Sequence, residues 1–238
     1  MNIKRGREYK NILSGIIAAF AVVLLFAVLN TERVFAADVY VSTASELKTA
    51  LTKTSSRIVL NADIKTCGLT VSGDAEITID LNGHVIDAEN TDRVFSVNGG
   101  ELTITDSAPT AVHTGTYAGL PNGGVICNGR AYYAGGIYNY GGTVNITGGT
   151  IYHCSGCPKT EGDTAFMSGG IFNMKTLNMS GGAIIDCGYR ETADGDLSTS
   201  NGKGGAIYNY KGTATVSGST KISGCSAEYG GARREKSH

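Results

Sequence analysis

The chain has 238 residues, a formal net charge of −1, 17% charged side chains and 41% hydrophobic ones. That balance gives no electrostatic reason to invoke nucleic acid, and so large an apolar fraction is not the composition of a disordered chain. Glycine, at 34 residues, is the outlier, and it points to an architecture punctuated by tight turns.

Residues 1–36 read as an export signal. Lys4, Arg5, Arg7 and Lys10 precede an apolar run from Ile16 to Leu29, and small residues follow that suit cleavage after Ala36. With Ile12 and Leu13 included, the run is long enough to span a bilayer, so an uncleaved anchor is the alternative. In both cases the basic flank stays inside and the remainder is carried outside, which predicts a secreted or cell-surface protein.

Residues 37–56 read as a cap made of a strand and a short helix. Thr43 and Glu46 stand at the spacing of a capping box, in which each side chain answers the other's backbone N–H. Leu47, Ala50 and Leu51 then share one helical face.

From Arg57 onward the helical period gives way to short alternating runs, "RIVL", "LTV", "EITIDLNG", "RVFSV" and "ELTITD", each ended by Gly, Asn or Asp. An antiparallel sandwich or barrel and a parallel β-helix both suit many short strands. Internal repeats separate the two. "GGIYNYGGTVNITGG" begins at Gly135, "GGIFNMKTLNMSGGAIIDC" at Gly169 and "GGAIYNYKGTATVSGSTKISGC" at Gly204, with a weaker "GGVICN" from Gly123. Aligned on their glycine pairs, they superpose Asn139, Asn173 and Asn209; Ile151, Ile184 and Ile222; and Cys154, Cys187 and Cys225. Like residues recur at like places when successive coils stack, so the expected fold is all-β, a parallel β-helix over residues 57–232 with a short N-terminal capping helix.

The pattern resembles the right-handed parallel β-helix of the pectin-lyase-like superfamily, and Gly-Gly-Ala-Ile at residues 204–207 resembles the repeat motif of polymorphic outer-membrane and adhesin-like surface proteins. The resemblance spans roughly Arg57 to Ala232. It implies a right-handed solenoid.

The Asn column predicts a structural amide ladder. The Cys column predicts stacked thiols, because parallel side chains about 4.8 Å apart exceed the Cβ separation of about 3.5–4.5 Å that a disulfide prefers. Cys154-x-x-Cys157 has redox spacing but no thioredoxin-like context. If Ile137, Ile171 and Ile207 face inward, Tyr138, Phe172 and Tyr208 face outward, with Tyr140 and Tyr210 on the same side. Such an exposed aromatic stripe suits sugar rings, and the competing reading is aromatic packing over the sheet.

Two insertions leave successive repeats at one place, "SGCPKTEGDTAFMS" and "GYRETADGDLSTSNGK". Asp163, Asp194 and Asp196 there make calcium the single cofactor considered, against solvated surface loops. Asp80, Asp87, Asp92 and Arg93 form the acidic stretch in which catalysis is sought, while His84 follows the Asn82-Gly83 turn and His113 and His153 stand isolated. No set of catalytic residues emerges. "EYGGA" at 228–232 starts another repeat, but residues 233–238, "RREKSH", read as a non-repeat tail, which predicts truncation of a longer surface protein.

Three functions therefore stand open: an adhesin-like scaffold that binds a glycan or another surface, a polysaccharide lyase or glycoside hydrolase, and a stalk without a ligand. Expected partners are a polysaccharide or cell-surface glycan. Membrane contact is expected only through an uncleaved signal segment.

Overall fold

A computed structural model of the protein describes residues 37–158, 168–190, 196 and 202–236. Residues 1–36, read above as an export signal, and most of both acidic insertions, including Asp163 and Asp194, lie outside the described residues.

Every strand pairing among the described residues is parallel. The spine of the largest sheet runs in sequence order through Val39–Val41, Ser55–Leu60, Leu69–Asp80, Phe95–Thr105, Ile137–Asn139, Ile171–Asn173, Ile207–Tyr210 and Arg233–Lys236. A second column in that sheet, Thr143–Ile146, Thr176–Met179 and Thr213–Val216, continues from the far half of Phe95–Thr105. Six short strands from Ile64–Lys65 to Lys221–Ser223 make the second sheet, and Arg130–Ala131, Ser155–Gly156 and Gly188–Tyr189 make the third. The chain is thus predominantly β, with strands stacked in order along parallel sheets, an arrangement compatible with a β-helix-like solenoid.

Alternation explains which side chains meet. Ile137, Ile171 and Ile207 are paired in register and fully buried, as are Ile151 and Ile184 in the second sheet. They join Leu69, Ile79, Leu102, Val144 and Leu177 in one apolar core shared by the sheets. Burying an aliphatic side chain of this size is worth about 1.5–3 kcal/mol. A repeated small set of Ile, Val and Leu is therefore enough to hold each tier to the next.

The glycine pairs that open the repeats have a steric cause. A Cβ on Gly136 would stand 2.5 Å from the carbonyl oxygen of Gly170, and one on Gly170 would stand 2.5 Å from that of Ala206. Those carbonyls accept the N–H groups of Ile137 and Ile171, so the two backbones touch where side chains would otherwise separate them.

The first end is closed by the helix Ala44–Ala50. Glu46 N–H donates to Thr43 Oγ1 at 3.2 Å and Thr43 N–H donates to Glu46 Oε2 at 3.1 Å, completing the capping box. Leu47, Ala50 and Leu51 belong to the core cluster that also holds Val41 and Ile58. At the opposite end, Arg233–Lys236 pairs in parallel with Ile207–Tyr210. The paired backbone continues past Ala232.

Candidate functional site

Each repeat opens with a strand of three or four residues on which Ile points in, an aromatic points out and Asn follows. The asparagines build a buried polar spine behind the aromatics. Asn139 Nδ2 donates to Asn173 Oδ1 at 2.7 Å, and Asn173 Nδ2 donates to Asn209 Oδ1 at 2.7 Å. The same nitrogens reach the Thr176 and Thr213 carbonyls, at 2.9 and 3.1 Å. Asn209 Nδ2 ends on the Gly212 carbonyl at 2.7 Å. Amides, which both donate and accept, can satisfy one another along such a column without leaving a buried group bare.

In front of that spine the aromatic residues gather. Tyr138, Phe172 and Tyr208 occupy consecutive register positions. Tyr138 and Phe172 have ring centroids 5.5 Å apart, and Phe172 meets Tyr208 edge-on at 5.3 Å. Tyr140 stacks on Tyr138 at 4.8 Å, and Tyr210 lies nearly parallel to Phe172 at 6.2 Å. The structure brings all five together.

They do not form an exposed stripe, however. Phe172 and Tyr208 are only 3% and 2% accessible, because each is walled by rings on its own and neighbouring tiers and they pack with Ala134, Tyr138, Met174 and Tyr210 as a small second core. What faces solvent is a cleft of about 340 Å³ lined by Tyr133, Tyr138, Phe172, Met174, Lys203, Tyr208 and Tyr210. That volume falls at the small end of ligand sites, and its apolar walls with a few polar tips match their usual chemistry.

Three of its features escape sequence reasoning. Tyr133 stacks on Tyr138 at 4.8 Å with the rings 14° apart, closing one wall. The signal for it was the Tyr-Tyr pair ahead of Gly135, which breaks the repeat pattern. Met174 and Lys203 complete the lining. The Arg93 guanidinium sits 5.0 Å from the Tyr138 ring centroid, in cation–π contact. Burial pushes the Tyr138 hydroxyl's pKa up, so at neutral pH that hydroxyl is a hydrogen-bond donor.

The acidic stretch does not converge on a catalytic pair. Asp80 is buried and accepts from the N–H groups of Asn82 and Ser107, both at 2.9 Å, and from Arg57 Nη2 at 2.6 Å. Arg57 also bonds Asp38. Asp87 accepts from Glu89 N–H, Asn128 Nδ2 and the Tyr117 hydroxyl. Through that last bond it fastens the excursion between Thr105 and Gly123 to the second sheet, where Tyr117 and Leu120 cover Val85, Val125 and Cys127. Asp92 accepts from Arg93 N–H at 2.7 Å. These carboxylates are engaged in turns and anchors.

Among the described residues no group of three or more His, Cys, Asp or Glu side chains could hold a metal ion. Asp196 is exposed, and its expected companions Asp163 and Asp194 lie outside the described residues. The six cysteines carry no disulfide. Cys154 and Cys187 are buried in the core, with Cys225 half-buried on the last tier. Burial and its two thiol neighbours raise the Cys187 pKa, while the hydrogen bond from Cys187 lowers that of Cys225.

A larger concavity lies elsewhere, about 590 Å³ beside the helix and bounded by Lys48, Lys53, Thr70 and Asp74, with no aromatic wall. Comparison with protein-family models, curated proteins and solved structures gives no match to this chain.

Proposed function

We propose that this chain is an exported right-handed parallel β-helix that acts as an adhesin-like scaffold at the cell surface or in the secreted fraction, and that it binds a glycan at the Tyr133–Tyr138–Phe172–Tyr208 cleft. The observation that carries the reading is the cleft itself. Five aromatic rings from three tiers converge there around about 340 Å³ of open space, and a sugar offers the matching combination of apolar C–H faces and hydroxyl rims. The basic, apolar and small-residue segments of residues 1–36 support the export half of the proposal.

Retention of the full chain on a panel of immobilised polysaccharides, compared with Tyr138→Ala, tests the binding half. Retention that falls about tenfold or more with the variant supports it, since one stacking ring is worth about 0.5–1.5 kcal/mol beyond its buried area. Equal retention of both proteins overturns it.

A stalk without a ligand is favoured by one observation, the unbroken register from Ile137 to Ile207. That reading expects no retention on any member of the panel.

A further inference from the structure

Among residues that take no part in the aromatic cleft, and independently of the glycan reading, we infer that Cys187 and Cys225 form a two-coordinate site for one soft monovalent metal ion of the copper(I) or silver(I) class. The pairing of Ile184 with Ile222 and of Gly188 with Ser226 fixes the register on both sides of the two cysteines. Their side chains hang alike. Each Sγ donates towards the carbonyl two residues before it, at 3.4 Å for Cys187 and 3.3 Å for Cys225, and towards one in the preceding tier, at 3.7 Å in both. Parallel positions on adjoining tiers stand about 4.8 Å apart, beyond the Cβ separation of about 3.5–4.5 Å that a disulfide prefers. Two metal–thiolate bonds of about 2.3 Å laid end to end cover nearly that span, with the ion in line between the sulfurs.

Thiolate sulfur selects soft ions. Two sulfurs are too few for zinc, which takes four ligands in a closed site, and among the described residues no cluster of three or more donors supplies the rest. Binding involves no redox change: two S–H bonds break, two metal–sulfur bonds form and two protons leave, so the buried product carries one net negative charge. Arg190 answers that charge. It is 4% accessible, its Nη2 donates to the carbonyl of Asp186, the residue before Cys187, at 3.1 Å, and its Nε and Nη1 are buried without a hydrogen-bond partner. Buried polar groups are nearly always satisfied in folded proteins, and a buried anion is tolerated where a cation is paired with it. Arg190 acts electrostatically on both thiols, against Asp186 at Cys225. The way in is the last tier, where Cys225, Ala214, Val216 and Ile222 are only partly buried, whereas Cys187 is sealed one tier deeper. Cys154 and Cys187 share the same spacing without that opening.

Anaerobic titration of the reduced full chain tests the site, with copper(I) presented as its complex with a colorimetric chelator and silver(I) as the nitrate in chloride-free buffer. The expected result is one tightly held ion of either metal per chain, with a thiolate-to-metal absorption band in the ultraviolet, and no comparable uptake of zinc(II). Cys225→Ser, a near-isosteric change at a half-buried position, should abolish both uptake and band while leaving the circular dichroism unchanged, and Cys187→Ala should abolish them too. Cys67→Ser and Cys154→Ala should leave both in place. Arg190→Met should weaken binding by about tenfold to a hundredfold, as loss of an outer-shell partner does, and Arg190→Lys by less. No uptake by the folded chain overturns the inference. So does uptake that survives Cys225→Ser or vanishes with Cys154→Ala, and so does zinc(II) held as tightly as copper(I).

Discussion

Replacing Asn173 by Ala removes the middle rung of the amide column. The side chain is fully buried. It accepts from Asn139 at 2.7 Å and donates to Asn209 at 2.7 Å and to the Thr213 carbonyl at 3.1 Å. Two amide–amide bonds at about 1 kcal/mol each are lost, and the buried Asn209 Oδ1 loses its inter-tier donor at a cost of about 1–3 kcal/mol, giving about 3–5 kcal/mol in all. Asn139 fares better, because its Nδ2 keeps the Thr176 carbonyl. Urea unfolding followed by circular dichroism measures the loss, read as a lower midpoint at unchanged slope. Asn178→Ala is the control. That side chain is exposed and donates to Asn145 at 3.0 Å, so its removal should stay within about 0.5 kcal/mol. A double-mutant cycle with Asn139→Ala should show coupling of about 0.5–3 kcal/mol. The reasoning fails if Asn173→Ala costs no more than the control or shows no coupling to Asn139.

Other expectations follow from the same packing. Gly136→Ala and Gly170→Ala should each destabilise by about 1–3 kcal/mol, the usual range for overpacking, and lower the midpoint of thermal unfolding. Asp80→Ala should cost about 1–3 kcal/mol, since it takes the acceptor from two backbone N–H groups and from Arg57 Nη2, while Arg57 keeps Asp38; calorimetry would detect the change. Native-state alkylation read by mass spectrometry should modify Cys225 at lower pH than Cys157, because the Cys187 hydrogen bond lowers the first thiol's pKa and burial raises the second's. Cys154 and Cys187 should react only after unfolding. Glu46 has its pKa lowered by the backbone N–H of Ser42 and by Thr43. The stability it adds is therefore present above its unfolded value near 4.5 and is lost as pH falls through the folded one, and Glu46→Gln should flatten that acid limb of a pH titration.

Much of this arrangement was legible because stacking makes sequence repeat where structure repeats. The Asn and Cys columns and the outward aromatics all appear as aligned letters, and the structure places each set on adjoining tiers. What escaped notice does not repeat. Tyr133 reaches the cleft from the corner after the third sheet's Arg130–Ala131 strand, a direction no strand alternation encodes. Alternation placed Phe172 and Tyr208 on the outer face correctly, but outward is not the same as exposed when neighbouring rings are wide enough to cover the sheet. Tyr117 meets Asp87 across 30 positions of sequence, and nothing in the spacing of either announces the bond. The Asp80 and Asp87 carboxylates looked available for chemistry because their backbone donors are invisible in a string of letters.

The asparagine column also has a sense of direction. Asn139 and Asn173 each hand a proton donor to the tier after them, and the hand-over spans 34 residues in one case and 36 in the other. A whole unit of that length inserted between two tiers would find an acceptor waiting on one side and a donor on the other, with every core contact duplicated in kind. The number of units is thus a dimension in which the gene can lengthen or shorten its product while both ends, and the aromatic cleft, keep their chemistry. Reversing a unit or exchanging its Asn for a one-way donor or acceptor would instead put two like groups face to face, so growth by this route is confined to copies that preserve the amide.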